Sequence, residues 1–260
     1  MPDLTIAQFD LVYNLFSFTF ATMFAAFIFF VLVRSQLAPQ YRGAMIMSAL
    51  VVAIAGYHYL RIFESWDAAY TLEGGMYVAT GALFNDAYRY IDWLLTVPLL
   101  VAELIFVINP RNRGRLTFTL ATAAALMVIL GYPGEIATDT ATRALWGFLS
   151  TLPFLYIVWR LFGGLGDAMA EQPENVRVLI RNTRLLLLAT WGFYPIVYLL
   201  PILGVTGASA VVAIQVGYCI ADVAAKAGYG LMIYAIANEK SKAAGWQYTA
   251  TPQTAPATGD

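Results

Sequence analysis

A carboxylate and an amine lie four residues apart in an apolar stretch near the end of the chain, as Asp222 and Lys226. Residues with this spacing share one face of a helix, so the two side chains are expected to meet. An amine in apolar surroundings is costly as a bare cation, and this is the setting in which a lysine condenses with a carbonyl compound to form a Schiff base. A protonated imine would require nearby anions. A buried Asp–Lys pair can also be purely structural, and the spacing alone leaves both interpretations open.

A second series of polar side chains follows one face of another apolar segment. Asp92 and Glu103 are 11 residues apart, which on a helix returns to within roughly 20° of the same face at a separation of roughly 16 Å. Thr96 lies one turn from Asp92 and within hydrogen-bond reach of it, and Arg89 lies almost one turn away on the other side. If the two apolar segments are neighbours, Asp92 brings a second anion close to Lys226.

Two further titratable residues have more ambiguous patterns. Glu103 has no evident basic partner at its own depth, so we expect it to be neutral at rest and suited to donating a proton. The alternative interpretation is that the Glu103 side chain simply extends to the membrane interface. His58, the single histidine, is by residue type more often a hydrogen-bonded core side chain than a proton carrier.

Aromatic side chains form the other constellation of interest. Such rings can sandwich a long apolar ligand. The candidates are Trp93, Trp191, Tyr194 and Tyr218. Because 15% of the chain is aromatic, ordinary packing and interfacial belts account for most such residues, and the pattern alone favours packing.

The elements that must position these residues are apolar helices. The chain is 60% hydrophobic and 12% charged, whereas a soluble globular protein carries about 25% charged residues. The net charge of −1 offers no basic field for nucleic acid. With one cysteine, Cys219, and one histidine, neither a disulfide framework nor a Cys/His metal site can be assembled from this chain alone, and no metal site is predicted.

The apolar runs predict an all-α membrane protein with a seven-helix transmembrane bundle in one domain, residues 1–240. A span needs roughly 20 mainly apolar residues. The predicted spans are 9–33, 43–63, 87–109, 116–133, 143–163, 176–201 and 208–237. The Gly-Gly turn within residues 71–79 predicts a short β-hairpin between the second and third spans. Residues 241–260, rich in Thr, Ala and Pro, are predicted to be a disordered tail.

The distribution of basic residues predicts how the bundle sits in the membrane. Most of the Lys and Arg residues flank the first, third and fifth connections between spans and the C-terminal end, all on one side of the bundle. The positive-inside rule then places the N-terminus outside and the C-terminus in the cytoplasm. Asp92 accordingly lies in the outer half of the third span, and Glu103 in the inner half.

Three motifs together resemble the third, sixth and seventh helices of the microbial rhodopsins. They are Arg89-Tyr-Ile-Asp92-Trp93-Leu-Leu-Thr96-Val-Pro98, Trp191-Gly-Phe-Tyr194-Pro195 and Asp222-Val-Ala-Ala-Lys226. Further segments are similar to the xanthorhodopsin group of light-driven proton pumps. These are Gly56-Tyr-His58-Tyr, Phe84-Asn-Asp86-Ala-Tyr-Arg89-Tyr, Leu130-Gly-Tyr-Pro-Gly-Glu135 and Leu185-Leu-Leu-Leu-Ala-Thr-Trp191. The resemblance covers residues from about 8 to 240.

The resemblance implies an outward proton pump that carries all-trans retinal on Lys226 as a protonated Schiff base. Asp92 would be the primary counterion and proton acceptor, and Asp222 the second counterion. Glu103 would return a proton from the inner side, since Asp92, Thr96 and Glu103 match the triplet of proteorhodopsin-like pumps. His58 would pair with the acceptor Asp92, and Arg89 would tune the outer path.

The resemblance also implies a ligand pocket. Its residues would be Trp93, Leu100, Trp191, Tyr194, Pro195 and Tyr218. Leu100 stands where leucine accompanies green absorption in proteorhodopsins. Gly147 matches the small residue that opens a lateral window to the retinal ring in xanthorhodopsins, where a carotenoid antenna lies. A helix-packing glycine is the alternative, so the carotenoid stays an open expectation.

The remaining expectations concern partners and competing functions. A chain of this family is expected in the inner membrane of a bacterium, commonly as a trimer or pentamer, and not as an enzyme. A photosensory rhodopsin is the main alternative. A pump for another ion is less consistent with the carboxyl triplet, and a retinal-free transporter would use Asp222 and Lys226 as a plain ion pair.

Overall fold

The computed structural model describes residues 1–85, 87–163 and 166–247. The helices in these ranges are α1 (Ile6–Val33), α2 (Arg42–Ala69), α3 (Ala87–Ile108), α4 (Arg113–Glu135), α5 (Thr140–Gly163), α6 (Gly166–Ala170), α7 (Glu174–Trp191), α8 (Phe193–Leu199), α9 (Ala208–Asp222) and α10 (Tyr229–Ala243). A π-helical turn, Val223–Gly228, joins α9 to α10 into one rod, and α7 with α8 forms another. The predicted seven-helix fold is confirmed.

Six of the seven rods are long and apolar enough to cross a membrane. The exception among the described residues is the α7–α8 rod, where Arg177, Arg181 and Arg184 lie in the first half and lower the hydropathy. This rod also breaks after Trp191. Pro195 has no N–H to donate to the carbonyl of Trp191 four residues earlier, so the regular ladder is interrupted there.

The connection between α2 and α3 contains the predicted hairpin, which is confirmed. Strand β2 (Tyr70–Glu73) pairs antiparallel with β3 (Met76–Ala79). Gly74 and Gly75 both have positive φ, 57° and 85°, as a type I′ turn requires at its two central residues. A third strand, β1 (Leu4–Thr5), pairs with the other edge of β3. Two residues are too few to show a strand period, so β1 was not predicted.

The C-terminal boundary differs from the prediction of a tail that begins at residue 241. Helix α10 continues to Ala243, and Ser241 is buried, with its hydroxyl accepting from the backbone N–H of Ala38 at 3.0 Å. The indole of Trp246 donates to the carbonyl of Gln36 at 3.1 Å. The ordered chain is therefore longer because these contacts bind it to the turn after α1. Residues 248–260 lie outside the described residues.

Helix packing places α3 against the seventh rod. Each of the helices α1 to α4 packs against the next one along the chain. Helix α9 packs on α1, and α10 packs on α7, α2 and α3. At one end Lys240 on α10 donates to the carbonyls of Val107 and Ile108, both at 2.9 Å. These carbonyls end α3 and have no helical partner, so Lys240 fastens the two helices together.

Candidate functional site

The centre of the bundle contains one buried cation between two buried anions. Lys226 Nζ donates to Asp92 Oδ2 and to Asp222 Oδ1, both at 2.8 Å. All three residues are at most 2% exposed. The structure thus brings α3 and the seventh rod together, which is the condition under which Asp92 was expected to approach Lys226. Buried ion clusters are costly to desolvate and contribute little stability in themselves, which makes a purely structural purpose a poor explanation.

The backbone around Lys226 is itself unusual. Lys226 lies in the π-helical turn, where the N–H of Tyr229 donates to the carbonyl of Ala224, five residues earlier. Such turns are rare and frequently occur at functional sites. The sequence pattern did not reveal it, because the flanking residues are mostly small and apolar, so a shift in phase by one residue leaves no visible mark.

The two carboxylates have different surroundings. Asp222 accepts from Lys226, from the hydroxyl of Tyr194 at 2.5 Å and from the hydroxyl of Tyr59 at 2.6 Å. Asp92 Oδ1 has no hydrogen-bond partner among the described residues. Thr96 was expected near the Asp92 side chain, but its hydroxyl donates to the backbone carbonyl of Asp92 at 2.8 Å. Asp92 therefore keeps an acceptor atom available, whereas both carboxylate oxygens of Asp222 accept hydrogen bonds.

His58 lies beside Asp92 without bonding to it directly. Its Nδ1 is 2.9 Å from the carbonyl oxygen of Ile54, and its ring is within electrostatic range of the Asp92 carboxylate. No hydrogen bond joins the two side chains in the described part of the chain. The pairing that the resemblance implies stays a prediction.

Arg89 connects the ion cluster to the end of the bundle that carries the hairpin. Its Nη1 donates to the Tyr59 hydroxyl at 3.4 Å, and its Nη2 donates to Gln215 Oε1. Its guanidinium also stacks 4.4 Å from the ring centre of Tyr218. Neither Tyr59 nor Gln215 was predicted, because a contact between helices depends on a helix rotation that one sequence does not show.

Glu103 is fully buried on the other side of the cluster. Ser48 on α2 contacts both Glu103 Oε2 and the carbonyl oxygen of Ala44. The Ser48 hydroxyl donates to Glu103 Oε2, whereas Glu103 Oε1 has no hydrogen-bond partner among the described residues. The neutral state of Glu103 stays a prediction, and Ser48 is a partner that the sequence did not indicate.

A cavity of about 420 Å³ extends from Lys226 into the bundle, within the roughly 300–1,000 Å³ typical of small-molecule sites. Its walls include Gly147, the predicted window residue, and every predicted pocket residue: Trp93, Leu100, Trp191, Tyr194, Pro195 and Tyr218. The ring of Trp93 lies 4.9 Å from that of Tyr194 and 5.8 Å from that of Tyr218. A buried amine at one end and apolar walls along the rest suit an elongated apolar aldehyde such as retinal.

The side of this cavity at Gly147 is covered by Tyr198. A Cβ atom on Gly147 would lie 2.6 Å from Tyr198 Cε1. The Tyr198 hydroxyl donates to the carbonyl of Arg143 at 2.7 Å. Gly147 therefore makes space here that the Tyr198 ring occupies, and a second ligand at this face requires that ring to move.

Comparison with known proteins matches residues 11–240 to a family model described as bacteriorhodopsin-like protein. The chain is 28% identical to the green-light absorbing proteorhodopsin of Gamma-proteobacterium EBAC31A08, over 85% of this chain and 84% of that protein. It is 31% identical to archaerhodopsin-2 of Halobacterium sp. (strain aus-2), over 72% and 70%.

Solved structures are similar over nearly the whole chain. The structure of xanthorhodopsin, described as a light-driven ion pump with dual chromophore, superposes with a TM-score of 0.92 at 58% identity and covers 95% of this chain and 100% of that one. A thermophilic rhodopsin superposes with a TM-score of 0.91 at 50% identity, with the same coverage.

Proposed function

The chain belongs to the bacteriorhodopsin-like family of microbial rhodopsins, and from this premise we propose that it is a light-driven outward proton pump with all-trans retinal bound to Lys226. The observation that carries the proposal is the contact of Lys226 Nζ with both Asp92 and Asp222 at 2.8 Å, at the end of an apolar cavity. A lysine held between two carboxylates would react with an aldehyde in surroundings that already stabilise a positive charge at its nitrogen.

The geometry supports distinct tasks for the two carboxylates. Retinal, when bound, supplies light absorption and the light-driven change in the environment of the Lys226 nitrogen. Asp92 Oδ2 lies at hydrogen-bond distance from that nitrogen and takes its proton. Asp222, which accepts hydrogen bonds from Tyr59, Tyr194 and Lys226, keeps its charge and orients the nitrogen.

A side chain in the inner half of the bundle supplies the proton that returns to the Lys226 nitrogen. Glu103 holds a proton against Ser48 and passes it to the Lys226 nitrogen after Asp92 has been protonated. Glu103 then takes a proton from the cytoplasm. One proton leaves outward and one enters from inside per cycle, so direction depends on the nitrogen reaching Asp92 first and Glu103 second.

The location and the assembly of the chain are inferred from the same family membership. The apolar helices make the chain a multi-pass membrane protein. We propose the cell membrane of a bacterium, with the hairpin and N-terminus outside, and a trimeric or pentameric assembly as in related pumps.

Chemical trapping tests the retinal assignment directly. The purified chain is mixed with all-trans retinal, reduced with borohydride under illumination, digested and analysed by mass spectrometry. The retinyl group is expected on the peptide that contains Lys226, and the peptide with Lys240 serves as the internal control. A retinyl group on another lysine, or on none, would contradict the assignment.

Replacing Glu103 with Gln is expected to slow the return of the proton to the Lys226 nitrogen by about 100-fold, a typical contribution of a positioned acid. Flash spectroscopy measures this as a slower decay of the deprotonated pigment. Its formation is expected to be unchanged, because Asp92 remains. Glu239→Gln, at a half-buried carboxylate near the end of α10, is the matched control, and a wild-type decay in E103Q would remove Glu103 from the donor role.

We also propose that a carotenoid binds at the Gly147 face as an antenna, as the dual chromophore of the similar xanthorhodopsin suggests. The support is that Gly147 lines the main cavity and that its lack of a side chain leaves a flat space, which Tyr198 fills. Replacing Gly147 with Trp is expected to fill that space permanently.

The action spectrum of proton pumping checks the antenna. With added carotenoid, the wild type is expected to pump in the carotenoid absorption bands as well as the retinal band. G147W is expected to keep the retinal band and lose the carotenoid bands. Equal carotenoid bands in both proteins would show that the pigment binds elsewhere.

A further inference from the structure

A second cavity, of about 130 Å³, lies at the hairpin end of the bundle, beyond Arg89. Its lining combines apolar side chains, Met1 among them, with the polar groups of Arg89, Gln215, Arg143 and Glu135. A space of this size with these polar partners has room for several water molecules. Since Arg89 also bonds to Tyr59, which bonds to Asp222, this cavity adjoins the ion cluster on the side to which the proposed pump exports protons.

Glu135 is the carboxylate at the junction of the two cavities. It lines both the large cavity at Lys226 and this outer cavity, together with Tyr90, Trp93 and Tyr218. Its side chain is 28% exposed. It therefore reaches both the interior and the surface of the bundle.

The stability of α4 does not explain an acid at this position. Glu135 is the last residue of the helix, where the macrodipole disfavours a negative charge by about 0.3–1 kcal/mol. Arg143 compensates in part, because its Nη2 donates to the Glu135 carbonyl at 2.6 Å and lies 3.9 Å from Glu135 Oε1. The Tyr90 hydroxyl is 3.5 Å from Glu135 Oε2. A carboxylate held in place in this way is suited to holding a proton that arrives from the cavity.

We propose that Glu135 is the proton-holding group of the outer exit path. The proton that Asp92 gives up crosses the outer cavity through water and forms an O–H bond at the Glu135 carboxylate. That bond then breaks, and the proton passes to the outer medium. Arg89 and Arg143 stay charged throughout and hold the path in place. The inference rests on the proposed pump function.

The test compares the timing of two signals in the same flash experiment. The purified pigment is placed in nanodiscs, where absorption reports deprotonation of the Lys226 nitrogen and a water-soluble pH dye reports proton appearance. Glu135→Gln cannot hold a proton, so the delay between the two signals is expected to lengthen at least tenfold. Glu135→Asp is expected to keep a near-wild-type delay. The control Glu73→Gln, on the exposed hairpin and outside both cavities, is expected to change nothing.

A wild-type delay in E135Q would overturn the inference while leaving the pump intact. Absence of any proton signal from the wild type would instead contradict the proposed function. If E135Q forms no pigment, the wild type provides the test, because Glu135 lies next to Arg143, Tyr90 and Tyr198 and lines both cavities. Acidifying the medium through the range in which carboxyls titrate should then delay release. A release time independent of pH would overturn the inference.

Discussion

Replacing Lys226 with Ala is expected to abolish pigment formation completely. The imine to retinal needs an amine at this point, and the amine lies at the end of the cavity between Asp92 and Asp222. Removing the cation also leaves two buried carboxylates without their partner, which costs on the order of 3–5 kcal/mol unless one of them takes up a proton. The measurement is visible absorbance after addition of retinal to expressed membranes.

Lys226→Arg separates chemistry from stability. Arginine keeps the positive charge between the carboxylates but does not condense with an aldehyde, so this variant is expected to fold and stay colourless. Lys242→Ala, with an exposed side chain, is the control and should give the wild-type colour. A wild-type pigment in K226A would show that retinal is held at another lysine or without a covalent bond.

Replacing Asp92 with Asn is expected to reduce proton transport to the background level and to shift absorption to the red. Asn at this position cannot take the proton from the Lys226 nitrogen 2.8 Å away. The loss of one of two anions also destabilises a positive charge localised at that nitrogen, which lowers the excitation energy. Initial rates of light-driven pH change and the absorption maximum of the same preparation measure both effects.

Asp67→Asn provides the matched control for this change. Asp67 is exposed near the end of α2, so its neutralisation is expected to leave colour and transport unaltered. Unchanged transport in D92N would remove Asp92 from the acceptor role, even if the colour shifted.

The parts of the site that sequence reasoning anticipated are those set by position along one helix. The i, i+4 spacing of Asp222 and Lys226 and the 11-residue spacing of Asp92 and Glu103 convert directly into helix faces. The hairpin was equally predictable from the sequence, because two adjacent glycines mark a turn that requires positive φ. Roles for these residues came from the resemblance, and they stay predictions until the variants are measured.

The parts that could not be anticipated are contacts between helices. Tyr59 reaches Asp222 from α2, and Ser48 reaches Glu103 from the same helix. Both depend on how α2 is rotated against its neighbours, which no local pattern encodes. Likewise, the absence of a side chain at Gly147 predicts open space beside it, but the ring of Tyr198 fills that space in the structure.

The central claim is best tested by the external pH of a weakly buffered suspension of cells that express the chain with retinal, under green light, with and without a protonophore. Outward proton pumping is expected to acidify the medium, and the protonophore is expected to abolish this acidification. Alkalinisation that the protonophore enhances would contradict it and indicate transport of another ion. A visible pigment without any pH change would contradict it as well, and would favour a photosensory function.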